Sequence, residues 1–188
     1  MADLKVLGIS GSLRKASLNT AVLRVCSEIA PADMKISIYS GLGDIPLYNQ
    51  DIMDAGAPES AQKLKNAIAE ADGVLLALPE YNFSITPAMK NGIDWVSKMP
   101  NQPFQDKPVA IVSASAGPLG GARVQYDTRR IITQLWGHVM PRPEVFIGMV
   151  QTKFDAQGKL TDEATRKFLG DLLTGFRTWI LRMQVKKA

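Results

Sequence analysis

The chain has 188 residues, 46% of them hydrophobic and 21% charged, and a net charge of +4; a single domain spanning residues 1–188 with a substantial core is expected. One cysteine and one histidine exclude a disulfide framework and a structural zinc cluster, and neither a basic leader nor an apolar run of the ~20 residues that cross a bilayer is present. The basic residues are scattered, with only Lys186 and Lys187 forming a short tail, so a pI near 9.2 reads as attraction for small anions rather than nucleic acid. A cytoplasmic protein without membrane association is expected.

Residues 5–10 form a short, dense apolar run, the pattern of a strand buried on both faces of a parallel sheet. The loop SGSLRKASLN at 10–19 follows, and Leu18, Ala21, Val22, Val25, Cys26 and Ile29 then recur at helical spacing. Cys26 falls within that stripe, which predicts buried packing rather than reactivity. A second strand is expected over 34–39, and residues 41–56 read as a long polar connection.

Pro58 opens a helix with Ala61, Leu64, Ala67, Ile68 and Ala71 on one side, and Asp72-Gly73 turns the chain into a central strand at 74–78. Thr86 and Pro87 provide the cap and first position of the next helix, with Met89, Ile93 and Val96 inward. A fourth strand over 108–113, a glycine loop over 115–121, and a helix over about 122–136 follow. A fifth strand is expected around 145–147. The final helix spans 161–183, with Phe168, Leu172, Phe176, Trp179 and Met183 inward.

Five short apolar strands alternating with five helices predict a doubly wound α/β fold, a parallel sheet with helices on both faces. Ligands bind such sheets beyond the carboxyl ends of the strands. Three loops on that edge carry suggestive chemistry. In the first, Gly11 permits a sharp turn, Ser12 and Ser17 offer hydroxyls, Arg14 a guanidinium and Asn19 an amide, all ahead of a helix N-terminus that favours anions. An ordinary strand-to-helix turn uses the same residues, and this loop alone leaves both readings open.

In the second loop, Pro79, Tyr81 and Phe83 can wall a flat ring, and the backbone around Glu80 and Asn82 can meet a polar ring edge. The third loop, 117–121, can present N–H groups. Taken separately, Tyr81 and Phe83 read better as core aromatics and Gly117, Gly120 and Gly121 as a plain turn, but three ligand-compatible loops on one sheet edge favour a phosphorylated ring compound.

GSLRKASLN at 11–19, PEYNFSITPAMKNGIDW at 79–95 and GGARVQYDTRR at 120–130 together resemble the NAD(P)H-dependent FMN reductase family, in particular its chromate and quinone reductase branch. The resemblance runs in order through nearly the whole chain. It implies a flavodoxin-like five-stranded sheet of order 2-1-3-4-5, noncovalent FMN, NADPH or NADH as reductant, and a homodimer or homotetramer. The implied activity is reduction of quinones, free flavins or metal oxyanions such as chromate, by ping-pong hydride transfer through the flavin.

By matched position, Ser12, Arg14, Ser17 and Asn19 would hold the FMN phosphate, with Ser10, Leu13 and Leu18 completing that loop. Pro79, Glu80, Tyr81, Asn82 and Phe83 would flank the isoalloxazine, and Ser115 and Gly117 would approach its pyrimidine side. The resemblance also implies that Arg123, Tyr126 and Glu144 meet another subunit. The reacting atoms belong to the cofactors, which agrees with the lack of an obvious catalytic His, Cys or acid pair. His138 reads as structural, at a helix-to-strand junction.

Three alternatives stand beside this reading. A flavodoxin-like electron carrier shares the architecture, but such carriers are typically acidic. A phosphoryl-transfer enzyme of the cysteine type needs a loop nucleophile, whereas Cys26 lies within a helix. A nucleotide-binding regulatory module would show no turnover.

Overall fold

The computed structural model describes residues 3–184, so Lys186 and Lys187 lie outside the described residues. The strands are β1 (Leu4–Ser10), β2 (Met34–Tyr39), β3 (Gly73–Leu78), β4 (Pro108–Ala114), β5 (His138–Val139) and β6 (Val145–Ile147). The helices are α1 (Leu18–Glu28), α2 (Gln50–Ala55), α3 (Glu59–Glu70), α4 (Pro87–Lys98), α5 (Ala122–Gln134) and α6 (Glu163–Gln184). The strands pair in parallel in the order β2-β1-β3-β4-β5, and β6 also pairs with β4. This is the expected doubly wound, flavodoxin-like arrangement.

All six residues of β3 and all seven of β4 are buried, which explains why these strands are apolar runs rather than alternating patterns. Their side chains divide between two cores. Leu75, Ala77, Ala110 and Val112 face α1 and α6, whereas Val74, Leu76, Val109 and Ile111 face α3, α4 and α5. Each large apolar side chain buried there contributes about 1.5–3 kcal/mol. Cys26 is part of the first core, and burial pushes its thiol up to about 12, so it packs as an inert side chain.

Two expectations at the fifth sheet position and the last helix are refined. The edge beside β4 is filled by β5 and β6 rather than one strand, because Pro141 and Pro143 between them supply no N–H to a ladder. Phe168, expected inward, is 57% exposed. The inner stripe of α6 is instead Thr165, Leu169, Leu172, Leu173, Phe176 and Ile180, a phase that puts Phe168 outside. Trp179 and Met183 are half-buried, and the Trp179 indole N–H donates to the His138 carbonyl at 2.8 Å.

The connection over 41–56 is not without structure. It contains a 3-10 turn, Gly41–Asp44, and α2, whose N-cap Asn49 accepts from the Asp51 N–H at 2.8 Å. Helix α2 buries no residue, so it left no apolar stripe to read. The segment is tied to α4, where the fully buried Trp95 donates its indole N–H to the Pro46 carbonyl at 2.7 Å and Asn91 accepts from the Tyr48 N–H at 2.8 Å. Trp136, by contrast, is 69% exposed, at the end of α5 and away from either core.

Helix α6 starts on a pH-sensitive contact. Asp162 accepts from the Thr165 N–H at 2.8 Å and lies 2.9 Å from Lys153 Nζ. The Thr165 bonds first, and the lysine second, lower its carboxyl to about 2 from an ordinary 3.8. A lowered folded-state value means that the stabilisation is complete above the unfolded value and disappears as pH falls through the folded one. Acid titration of stability should therefore show Asp162→Asn differing from the parent protein near neutrality and converging with it between pH 4 and 2. A constant difference across that range would rule out this contact.

Candidate functional site

The carboxyl ends of β1, β3 and β4 open into a cleft of about 470 Å³. Ser12, Arg14, Ser17, Leu18 and Asn19 line one end; Pro79, Glu80 and Tyr81 form one wall, and Ala114, Ser115 and Ala116 another. The edge predicted to bind a ligand thus brings the first two suspected loops to one hollow, and the stretch after β4 reaches it through Ser115 and Ala116 rather than through residues 117–121.

At the cradle, Ser17 is the N-cap of α1, its hydroxyl accepting from the Thr20 N–H at 3.1 Å. The N–H groups of Leu18 and Asn19, in the first helical turn, have no acceptor within the helix, and the helix dipole adds positive potential at this end. Arg14 is exposed beside them, and among the described residues its guanidinium has no hydrogen-bond or ion-pair partner. The site therefore combines a free cation, serine hydroxyls and helix N–H donors, a set suited to a phosphate monoester.

Asn19 has a structural task besides lining the cleft. Its Nδ2 donates to the Ala114 carbonyl at 2.9 Å, and its Oδ1 accepts from the Ala114 N–H at 3.1 Å. The side chain is 6% exposed and joins the start of α1 to the end of β4. One donor and one acceptor position of the amide are thus occupied by the backbone of the neighbouring strand.

Five other expected residues lie outside this cleft. Ser10 is buried beneath the loop, accepting from the Thr20 hydroxyl at 3.0 Å. Leu13, 59% exposed, borders two adjoining hollows. Asn82 and Phe83 form the tip of a turn with left-handed φ of 48° and 71°, and Phe83 lies under the Arg123 guanidinium, 3.9 Å from its ring centroid. Gly117 works through its carbonyl, which accepts from the Gly120 N–H at 3.3 Å and the Met149 N–H at 3.2 Å. The loop over 117–121 is therefore a packed turn whose N–H at Gly120 is already engaged.

Glu80 has only 13% of its side chain accessible, and it pairs with Arg123. Val150 and Gln151, in the turn after β6, complete the lining. They reach the site because the Val150 N–H donates to the Ser115 carbonyl at 3.1 Å. Their signal in the sequence was positional: they follow a strand that ends on the same sheet edge. Ala114 and Ala116 simply flank the expected Ser115.

His138 is remote from the cleft, its Nε2 3.4 Å from Asp106 Oδ1. The three residues implied in a subunit contact have neighbours within the chain: Arg123 meets Glu80, Glu144 lies 3.5 Å from Arg129, and Tyr126 packs near Phe146. Among the described residues there is no group of three or more His, Cys, Asp or Glu able to hold a metal ion, and no helix is long and apolar enough to cross a membrane.

A parallel sheet in this strand order, with a cleft bounded by the loops after its first, third and fourth strands, defines a doubly wound α/β protein of flavodoxin type. A family model for NADPH-dependent FMN reductase matches residues 4–152, and the chain belongs to that family. Membership makes it an oxidoreductase whose cofactor is FMN and whose reductant is NAD(P)H.

Relatives match end to end. The chain is 43% identical over 182 residues to an NAD(P)H-dependent FMN reductase of Pseudomonas aeruginosa, covering 97% of this chain and 98% of that one. It is 42% identical over 184 residues to a quinone reductase of Escherichia coli, with coverage of 97% and 98%. Among solved structures it resembles FerB, a flavoenzyme NAD(P)H:(acceptor) oxidoreductase from Paracoccus denitrificans, at a TM-score of 0.87 and 35% identity, covering 96% of this chain and 98% of that one.

Proposed function

We propose that this chain, as a single domain in the cytoplasm, uses noncovalently bound FMN to reduce quinones at the expense of NAD(P)H. Free flavins and metal oxyanions such as chromate are further acceptors, and reductant and acceptor use the same site in turn. The observation that carries the reading is the junction, on one sheet edge, of a cradle of Arg14, serine hydroxyls and helix N–H groups with a cleft walled by Pro79 to Tyr81 and Ala114 to Ala116. The quinone reductases among its relatives support the acceptor class.

The residues present fit FMN. Arg14, Ser12, Ser17 and the first N–H groups of α1 would hold its phosphate, while Pro79 to Tyr81 and Ala114 to Ala116 would flank the ring. FMN supplies hydride exchange with nicotinamide and acceptor when bound. The chain's own part is to fix the phosphate, orient the ring and leave one side of the cleft open to small molecules. Acid–base side chains are not required, which agrees with Glu80 being engaged by α5. A homodimer or homotetramer is part of the proposal, with Tyr126 and Trp136, 54% and 69% exposed, as candidate contacts.

The test is to record the visible spectrum of the purified protein and follow oxidation of NADH and NADPH with a benzoquinone, chromate and free FMN. A yellow protein with steady quinone-dependent turnover is expected. Protein that takes up no FMN would overturn the proposal, and FMN binding without turnover would indicate an electron carrier. Within the cradle, Arg14→Ala should weaken FMN binding roughly tenfold to a hundredfold, the value of a charge-assisted hydrogen bond of about 1.5–3 kcal/mol, with little change in turnover at saturating FMN. An unaltered dissociation constant removes Arg14 from the phosphate site.

A further inference from the structure

Helix α5 lacks a local cap. It starts after Gly121, at φ 79°, which has no side chain to receive the first N–H groups. The acceptor comes instead from the loop after β3. Glu80 Oε2 accepts from the N–H groups of Arg123 at 3.0 Å and Val124 at 3.2 Å, and Glu80 Oε1 lies 3.2 Å from Arg123 Nη1. A carboxylate at this end also complements the helix dipole.

Two further contacts join the same loop to the same helix. The Arg123 guanidinium covers the Phe83 ring at 3.9 Å. The Ser84 hydroxyl donates to Asp127 Oδ2 at 2.7 Å, and this bond, with Arg130, holds the Asp127 carboxyl below its usual range. Between these contacts lies the turn of Asn82 and Phe83, closed by reciprocal Tyr81 and Ser84 backbone bonds of 3.0 Å each. Consecutive non-glycine residues with left-handed backbone persist where their surroundings over-determine them, often beside a ligand.

The consequence is geometric. Pro79, Glu80 and Tyr81 wall one side of the cleft; Ser115 and Ala116 wall another and lead through a short loop into α5. A serine or aspartate cap within the loop would satisfy α5 without drawing on the opposite wall, leaving only the Phe83 and Ser84 contacts between that loop and the helix. Glu80 makes the helix cap and the connection between the walls one interaction.

We propose that Glu80 is a positioning residue for the flavin: its carboxylate, bound to the start of α5, sets the separation of the two loops between which the ring is held. This rests on the FMN reading of the cleft. Loss of the carboxylate should loosen the ring's surroundings while leaving the phosphate cradle intact, since among the described residues no hydrogen bond or ion pair joins Ser12, Arg14, Ser17 or Asn19 to Glu80 or Arg123.

The experiment compares FMN-loaded parent protein with Glu80→Ala, Glu80→Gln and Asp162→Ala, the last removing the cap of α6, a side chain that neither lines the cleft nor bonds a residue lining it. The readouts are the visible circular dichroism of bound FMN, its dissociation constant, and KM and kcat for a benzoquinone. Glu80→Ala should weaken FMN binding about tenfold, as expected for a lost charge-assisted contact, alter the dichroism and raise KM. Glu80→Gln, which still accepts from the two N–H groups, should recover most of the affinity but remain about threefold weaker than the parent, a fraction of one such bond.

Asp162→Ala should lower thermal stability without moving any flavin readout. Parent-like dichroism and affinity in Glu80→Ala would overturn the proposal whatever its melting temperature. Should that variant fail to fold, parent-like values in Glu80→Gln overturn it equally. A parent protein that takes up no FMN fails the cofactor reading and the latch together, whereas a parent that binds FMN beside an unaffected Glu80→Ala fails the latch alone.

Discussion

Asn19→Ala is expected to lower stability by about 3 kcal/mol, because it leaves both the N–H and the carbonyl of the buried Ala114 without partners, each omission costing about 1–3 kcal/mol. In a chain of this size that corresponds to a fall of roughly 6–12 °C in melting temperature. FMN binding should weaken as well, since the amide holds the first turn of α1 against the end of β4 at the place where cradle and ring cleft meet. Thermal denaturation followed by circular dichroism measures the first effect and FMN titration the second. A melting temperature within about 1 °C of the parent's would show that water replaces both bonds without loss.

Gly120→Ala is expected to be comparably damaging. Gly120 has φ 59°, and an added Cβ would lie 2.6 Å from the Phe146 carbonyl carbon and 2.7 Å from the Ile147 nitrogen. Both atoms belong to the backbone of β6 and cannot rotate away as a flexible side chain would. Left-handed strain and overpacking each cost about 1–3 kcal/mol, so a total near 3 kcal/mol is expected. The same displacement moves Ser115 and Ala116 at the cleft, so FMN affinity should fall alongside the melting temperature. Full FMN affinity in a variant with a normal melting temperature would contradict the packing described for this turn.

The features visible in the sequence share a physical basis. The strands at 74–78 and 108–113 were readable because burial on both faces forces an apolar run. The start of α4 was readable because Thr86 and Pro87 act locally, and the Thr86 hydroxyl does accept from the Met89 N–H at 3.4 Å. What could not be read depends on distant partners. Nothing near Asn19 indicates that Ala114 will occupy its amide, and nothing near Gly121 indicates that Glu80 will cap the helix beyond it. Phe168 shows a related limit: in a long helix with apolar residues on several sides, the phase is chosen by the neighbouring sheet rather than by the stripe itself.

The divided edge beside β4 has a consequence for association. An edge strand presents unpaired N–H and carbonyl groups on which another chain can extend the sheet. Here the edge consists of two residues, an interruption containing Pro141 and Pro143, and three more residues. Neither fragment offers a template of ordinary strand length, and the prolines withhold donors between them. Copies of this chain that meet on that side must recognise one another through side chains. Growth by continued strand addition, the route to fibrous aggregates, is blunted at this edge.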